Sequence, residues 1–459
     1  MEYSGQFIGL VLLALALSGC VRDESYPGLV ADKQRHVVSG DGWPLGDEVP
    51  IKVSIDEDQL STIIATRGTG PVATPPNTTA DKVRYEQTVL RLFAFRDTCD
   101  QKGPLDYEPD FTKRSADTEG KADCLIDDSD YLVGVPALLK NDKTGILHLK
   151  CNDLKTDTTL YYSDHYRDVG YHFFLNYIDD LVPTAEQTHR DASGVYYDLH
   201  NDGTRDFMVG AAPKLTPFVL DTQYPNVRLS ATNRDRILNI GNYSTYAARL
   251  GIHPRISLHH LMSQLCFYAY PADETAVDIG IESIEIDGCH DGRLFVAAPH
   301  IDNVGFIPNG NRSYISLMDK NPDGNQQSPY VTLSADRNTV NWTAGMDRSQ
   351  WQNNPSTHIG GDMMVAPDSI YRMRITYRQI LKRLNPTTGQ PDVVRVTAHY
   401  RLLAPMIDSC YDPQKRMFMF KPGQIYNINI GVFGMQHLEI IVTLGGWIDG
   451  GDATGGDYW

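Results

Sequence analysis

After its first twenty residues, this 459-residue sequence has no apolar run of the about 20 positions that a membrane-crossing helix needs. It has no phosphate-cradling Gly-rich loop, no dinucleotide fingerprint and no Gly-x-Ser-x-Gly turn. The common sequence signatures of nucleotide chemistry and of an activated serine are therefore missing. Positive charge is scarce: 41 Lys and Arg stand against 58 Asp and Glu, a formal net charge of -17. Such a chain repels a phosphate backbone, which argues against a nucleic-acid partner. The cysteines are few and dispersed, with none of the close pairs that a zinc site uses. Long helical periodicities are rare and no tandem repeat of fixed period occurs.

What the sequence does have is short β-type patterning. The hydrophobic fraction of 41% supplies ordinary cores, and a charged fraction of 22% does not describe a disordered chain. The length suggests two or three domains. Ile51, Val53 and Ile55 in IKVSI fall on one face of an extended strand. Val89 to Phe95 (VLRLFAF) reads as a mostly buried strand, as do Ile256 to Tyr270, Ile279 to Ile286, Tyr371 to Tyr377 and Val393 to Leu403. Tyr426, Ile428, Ile430 and Val432 share a face, and Leu438, Ile440, Val442 and Leu444 share one in the next strand. Period-2 runs separated by turn residues indicate an all-β chain built from β-sandwiches. Short helical turns are expected at Tyr246 to Gly251 and around Leu258 to Leu265. Arg67 to Ala80 (RGTGPVATPPNTTA) reads as an exposed linker, and 97–130 as a polar surface insertion. A boundary between two halves is expected near 215–230.

Several clusters of reactive residues carry little chemistry. Asp198 to Gly203 (DLHNDG) hints at a calcium loop, but His200 and Val209 occupy positions that need oxygen ligands. Asp127, Asp128 and Asp130 read as a solvated acidic turn. His259 and His260 are adjacent and point to opposite faces of a strand, so they do not share a metal. Cys289-His290-Asp291 holds the residue types of a thiol catalyst in a Gly-flanked turn, where sequence neighbours seldom converge. No cofactor, no metal and no enzymatic activity are expected. Apart from Cys20, the cysteines are Cys99, Cys124, Cys151, Cys266, Cys289 and Cys410. An even number permits disulfides, and Cys99 with Cys124 could close a loop. Buried free thiols are the equal alternative.

At the N-terminus, the apolar stretch Phe7 to Leu17 has the length of a signal-peptide core and ends in Ser18-Gly19-Cys20. This resembles a bacterial lipoprotein lipobox, although Glu2 is present and no Lys or Arg precedes the stretch. The resemblance implies cleavage before Cys20 and acylation of that residue, with anchoring to a membrane rather than spanning of it. Asp23 and Glu24 resemble the surface-export signal of Bacteroidota lipoproteins.

Taken in order, further segments resemble the Bacteroidota fimbrillin family, the subunits of type V pili. They are the short strand followed by Ala65-Thr66-Arg67-Gly68, the strand Leu90 to Phe95, and Asp206-Phe207-Met208-Val209 before the second half. Ile256 to Leu265 follows with its central histidines, and then Phe420-Lys421-Pro422-Gly423-Gln424-Ile425-Tyr426 ahead of terminal strands ending in Gly446-Trp447. The resemblance implies two transthyretin-like β-sandwich domains in tandem. It divides the chain into a signal peptide at 1–19, a propeptide with a removable strand at 20–67, an N-terminal sandwich at 68–225, and a C-terminal sandwich at 226–459.

The resemblance also implies an assembly route. The precursor reaches the outer membrane surface as a lipoprotein, and a trypsin-like, Arg-specific protease cuts between Arg67 and Gly68. Removing a strand exposes unpaired backbone and an apolar channel, and a donated strand restores both. Ile51, Val53 and Ile55 are the expected plug before cleavage, and Leu438, Ile440, Val442 and Leu444 the expected donor stripe. Partners are then other pilus subunits and a host or bacterial receptor, in an extracellular fimbria. Arg84 is a second site for cleavage. The competing reading is a surface lipoprotein that never polymerises and binds a glycan or host ligand, with loops bearing Trp342 and Trp351 stacking on sugars.

Overall fold

In a strand, successive side chains point to opposite faces, so a near-continuous apolar run must be buried on both. Val89–Arg96 is such a run, and it sets the layering. The computed structural model describes residues 49–55, 89–97, 132–139, 145–162, 169–179, 181–272, 279–300, 303–317, 319–320, 326–327, 331–333, 357–433 and 437–445. Val89–Arg96 pairs antiparallel with Val135–Leu139 on one edge and Tyr171–Ile178 on the other. Phe207–Ala211 and His259–His260 extend the sheet one way, and Leu147–Leu149 the other, giving six strands. Leu90, Leu92 and Ala94 enter one core together with Phe173, Leu175 and Met208. Phe93 and Phe95 enter another with Phe174, Phe207 and Val209.

The first of these cores is covered by the segment 49–55 and by three short helices, Pro217–Gln223, Ala231–Ile240 and Thr245–Arg249. Local chemistry starts and stops them. The Thr216 hydroxyl accepts from the Val219 amide, with Pro217 in the first turn; Ser230 accepts from the Asn233 amide. Gly241, at φ 73°, ends the second helix in the left-handed conformation that glycine adopts without penalty. The other face of the six-stranded sheet packs against a four-stranded sheet of Thr188–Asp191, Gly194–His200, Asp291–Ala297 and Gly305–Pro308.

A second sandwich follows. One sheet has Ser263–Pro271 parallel to Ile425–Phe433, which pairs antiparallel with His437–Gly445 at the edge. The facing sheet is built on Ile279–Cys289, Ile370–Leu384 and Pro391–Leu403. Phe267, Tyr426, Ile428 and Ile430 meet Ile284, Ile286, Met373 and Ile375 between them. The chain is thus all-β with a few short helices, arranged in sandwich-like layers.

The ranges 68–225 and 226–459 do not each close on themselves. Ile237, Tyr246, Ala247, Ile252, Ile256 and Leu258 belong to the first core. The helices Ala231–Ile240 and Thr245–Arg249 among these are too short to stand alone and bury their apolar residues in that core. Asp291–Ala297 pairs with Gly194–His200, so the four-stranded sheet takes strands from both sides of residue 225. The expected strand 256–270 is broken into three as it crosses from one sandwich to the other. Arg255–Ile256 pairs with Ser54–Ile55, His259–His260 with Met208 and Val209, and Ser263–Pro271 lies in the second sandwich. The helical turn expected around Leu258 to Leu265 is absent there, whereas that at Tyr246 to Gly251 matches Thr245–Arg249.

Candidate functional site

Residues 49–55 alternate strictly. Val49, Ile51, Val53 and Ile55 are 8, 6, 2 and 2% exposed, while Lys52 points to solvent. The backbone is held on both sides. On one side the Ile51 amide donates to the Leu160 carbonyl (2.7 Å), and the Tyr162 amide donates to the Val49 carbonyl (3.0 Å). On the same side Leu147 donates to Val53 (2.9 Å) and Ile55 donates to Gly145 (2.9 Å). On the other side Ser54 donates to the Pro254 carbonyl (3.0 Å), and Ser54–Ile55 runs parallel to Arg255–Ile256. The approach of Gly145 is close enough to require its lack of a side chain. Its φ is +65°, and a Cβ there would lie 2.4 Å from the Ile55 carbonyl oxygen.

Burying four aliphatic side chains stabilises by about 6–12 kcal/mol, at about 1.5–3 kcal/mol each. That is comparable to the whole stability of an ordinary domain, about 5–15 kcal/mol. These seven residues thus bury four apolar side chains in the first core, beside Leu147, Leu149 and Tyr162. His253, next to the strand's partner Pro254, is pushed down to about 4, chiefly by burial and also by the nearby Lys52 charge. Burial likewise pushes the Tyr162 and Tyr243 phenols well up. Both rings lie in the same core as the strand.

Leu438, Ile440, Val442 and Leu444 lie in His437–Gly445, in register with Val432, Ile430, Ile428 and Tyr426. Leu438 is buried, and the other three are half-buried against the core of the second sandwich. The two apolar stripes therefore face different cores. The terminal strand is further fixed by Tyr400 of the opposing sheet. Its hydroxyl accepts from the Leu438 amide (3.2 Å) and donates to the Leu438 carbonyl (3.3 Å).

Cys20, Arg67, Gly68, Arg84, Trp342, Trp351, Cys99, Cys124 and the acidic turn at 127–130 lie outside the described residues. Cys151 is disulfide-bonded, and Cys266, Cys289 and Cys410 are free. Asn201, Asp202 and Asp198 do not converge on a cation position. Asp198 pairs with His189 (2.9 Å) and Arg293 (3.5 Å), and Asp202 holds Thr204 and Arg205. His290 is buried with Nε2 donating to the Ser313 carbonyl (3.1 Å), and burial lowers its basicity. Asp291 is engaged by His200 Nδ1 (2.6 Å), so Cys289, His290 and Asp291 form no catalytic line. His260 bonds the buried Asp206 carboxylate, while His259 is exposed. Among the described residues no three His, Cys, Asp or Glu gather as metal ligands.

Val49 belongs to the same stripe and was not anticipated. The alternation that marks Ile51, Val53 and Ile55 extends to it across Pro50. The buried cluster of Asp97, His172 and Asn242 was also not anticipated. Its Asn242 amide donates to the Asp97 carboxylate (3.1 Å), joining the end of the strand Val89–Arg96 to the turn after Gly241. No local pattern marks that contact in the sequence.

No family model matches the chain, and no curated protein matches it. Solved structures similar to it include a candidate cell adhesion protein from Bacteroides uniformis, at 10% identity and a TM-score of 0.35, covering 87% of this chain and 99% of that one. Another is the tip fimbrial protein Mfa3 from Porphyromonas gingivalis, with C-terminal truncation, at 10% identity and a TM-score of 0.31. It covers 87% of this chain and 99% of that one. A third is the fimbrial anchor protein Mfa2 from the same organism, at 8% identity and a TM-score of 0.26, covering 87% and 98%. At scores this low, the role of the site has to come from its own geometry.

Proposed function

We propose that this chain is a structural, non-catalytic subunit of a cell-surface fimbria, made as a lipoprotein precursor and assembled by exchange of strands. The observation that carries the reading is the extended segment 49–55, whose last two residues form the strand Ser54–Ile55. It buries four alternate side chains in the first core, yet the chain that follows contains the Arg-Gly step at 67–68. Cleavage after Arg67 would leave 49–55 held by non-covalent contacts alone. Its departure would leave the amides of Leu147 and Tyr162 and the carbonyls of Leu160, Gly145 and Pro254 without partners. Each such group costs about 1–3 kcal/mol when buried and unmade. An extended strand with the same two-residue apolar period relieves that cost, and Leu438, Ile440, Val442 and Leu444 of a neighbouring subunit supply one. In this reading the edge position of His437–Gly445 is a parked state, docked on its own sandwich until a neighbour's channel opens.

N-terminal sequencing of the surface-shed protein tests the reading. A mature start at Gly68 is expected, and an acylated Cys20 on the shed form contradicts it. Arg67→Ala should retain the N-terminal piece and remove detergent-resistant ladders on gels. Ladders that persist with an unchanged mature mass refute cleavage at that residue. A synthetic peptide spanning 437–445 should bind the cleaved protein and not the intact precursor.

A further inference from the structure

The outer face of the second sandwich carries an arrangement at odds with the acidity of the chain. Along Ile370–Leu384, Tyr371, Met373, Ile375 and Tyr377 point inward, which places Arg372, Arg374, Thr376 and Arg378 on the outer face. Along Pro391–Leu403 the outward positions include Arg395, Thr397, His399 and Arg401. The register sets Arg372 opposite Arg401, Arg374 opposite His399, Thr376 opposite Thr397 and Arg378 opposite Arg395. Like charges directly opposite each other in a sheet are destabilising. With Arg312 of the strand Arg312–Ser316, which pairs with Ile279–Cys289 in the same sheet, six arginines lie on this face of a chain whose net charge is -17.

The carboxylates on this face do not neutralise it evenly. Arg374 is forked onto Glu285 (2.5 and 2.6 Å), and Arg378 and Arg395 share Glu282 (3.6 and 2.7 Å). Arg312 takes Asp368 (2.6 Å) and reaches Asp287 (3.5 Å). Arg372 lies 3.8 Å from that same Asp287, and Arg401 has no carboxylate among the described residues. The two face each other across the strand pair, and each is solvent-exposed.

We propose that this face binds an acidic polysaccharide, with Arg372 and Arg401 as its anionic-group contacts. A guanidinium fork matches a carboxylate or sulfate in two parallel hydrogen bonds. Between the arginine pairs the hydroxyls of Thr376 and Thr397 lie 3.0 Å apart and offer donors and acceptors to sugar hydroxyls. The Tyr314 ring, with Arg374 stacked 4.5 Å over it, gives the face a flat aromatic edge. A protein partner fits less well, because interface centres are apolar and this face presents arginines, threonines and carboxylates without an apolar centre. A single-stranded DNA carries no free hydroxyls along its sugars for Thr376 and Thr397 to meet, whereas a polysaccharide carries them on every residue. The site does not depend on the strand exchange described above.

The test uses the full chain on immobilised heparin, a sulfated and carboxylated polysaccharide, with single-stranded DNA and uncharged dextran resins alongside. Retention is expected on heparin at low salt and not on dextran. The double variant Arg372→Ser, Arg401→Ser should weaken heparin binding about tenfold, the scale of two exposed ion pairs. Its melting temperature should not fall, because the substitution removes a like-charge pair. Arg293→Ser, on the outer face of the other sandwich, should leave binding unchanged. The proposal is overturned by no retention on heparin, by an unaffected double variant, or by equal retention on DNA. Weakened binding that tracks a lowered melting temperature also overturns it.

Discussion

Val53→Ala in the uncleaved chain isolates the contribution of the segment 49–55. Val53 is 2% exposed and packs in the core that contains Leu147, Leu149 and Tyr162. The substitution removes two methyl groups, about 1.6 kcal/mol of transfer energy at about 0.8 kcal/mol each. The cavity left behind adds to this, because the strand is tied on both sides and cannot collapse freely. The total should reach about 2–3 kcal/mol. Lys52→Ala, one residue earlier on the solvent face, should change stability by less than about 0.5 kcal/mol. The assay is urea unfolding of the intact precursor followed by tyrosine fluorescence. For a slope of about 2 kcal/mol/M, Val53→Ala moves the midpoint of the first-core transition down by about 1–1.5 M. If Lys52→Ala costs as much as Val53→Ala, or if Val53→Ala costs less than about 0.5 kcal/mol, the segment does not pack in the core as described.

Stability of the same region should fall in acid. His253 is held down to about 4, against about 6.5 in an unfolded chain, so the unfolded state binds the extra proton between those values. Stability contributed by this group is complete above about pH 6.5 and is lost as pH falls towards 4. Urea midpoints measured from pH 7 to 4 should show that slope, and His253→Asn should flatten it. Gly145→Ala should destabilise by more than about 2 kcal/mol in the same assay, because it adds a positive-φ penalty and a contact with the Ile55 carbonyl. Gly389→Ala has a similar φ of +66° with nothing within 4 Å, so it should cost only about 1 kcal/mol. Equal losses at the two positions would show that Gly145 and Ile55 are not in close approach.

Local alternation carried much of the fold. The faces of IKVSI, VLRLFAF and the two terminal strands were legible because a strand's side chains repeat every two residues whatever they pair with. Which partner each strand takes was not legible, since period alone does not choose among sheets. That is why the return of Asp291–Ala297 to Gly194–His200 across nearly a hundred residues came only from the structure. The helices Pro217–Gln223 and Ala231–Ile240 did leave a trace. Thr216-Pro217 and Ser230 with Gly241 are start and stop signals, although few apolar residues follow them. The candidate site was half visible. The apolar stripe showed in the sequence, but the facing arginines could not be seen before the register of Ile370–Leu384 and Pro391–Leu403 was known.

Ile279–Cys289 of one sandwich passes through His290 directly into Asp291–Ala297 of the other, so no slack linker separates them. A pull on either sandwich would travel along continuous backbone. Rows of ladder bonds would have to slide together in shear before that ribbon lengthened, so a filament of such units would resist tension rather than stretch at the joints within each subunit.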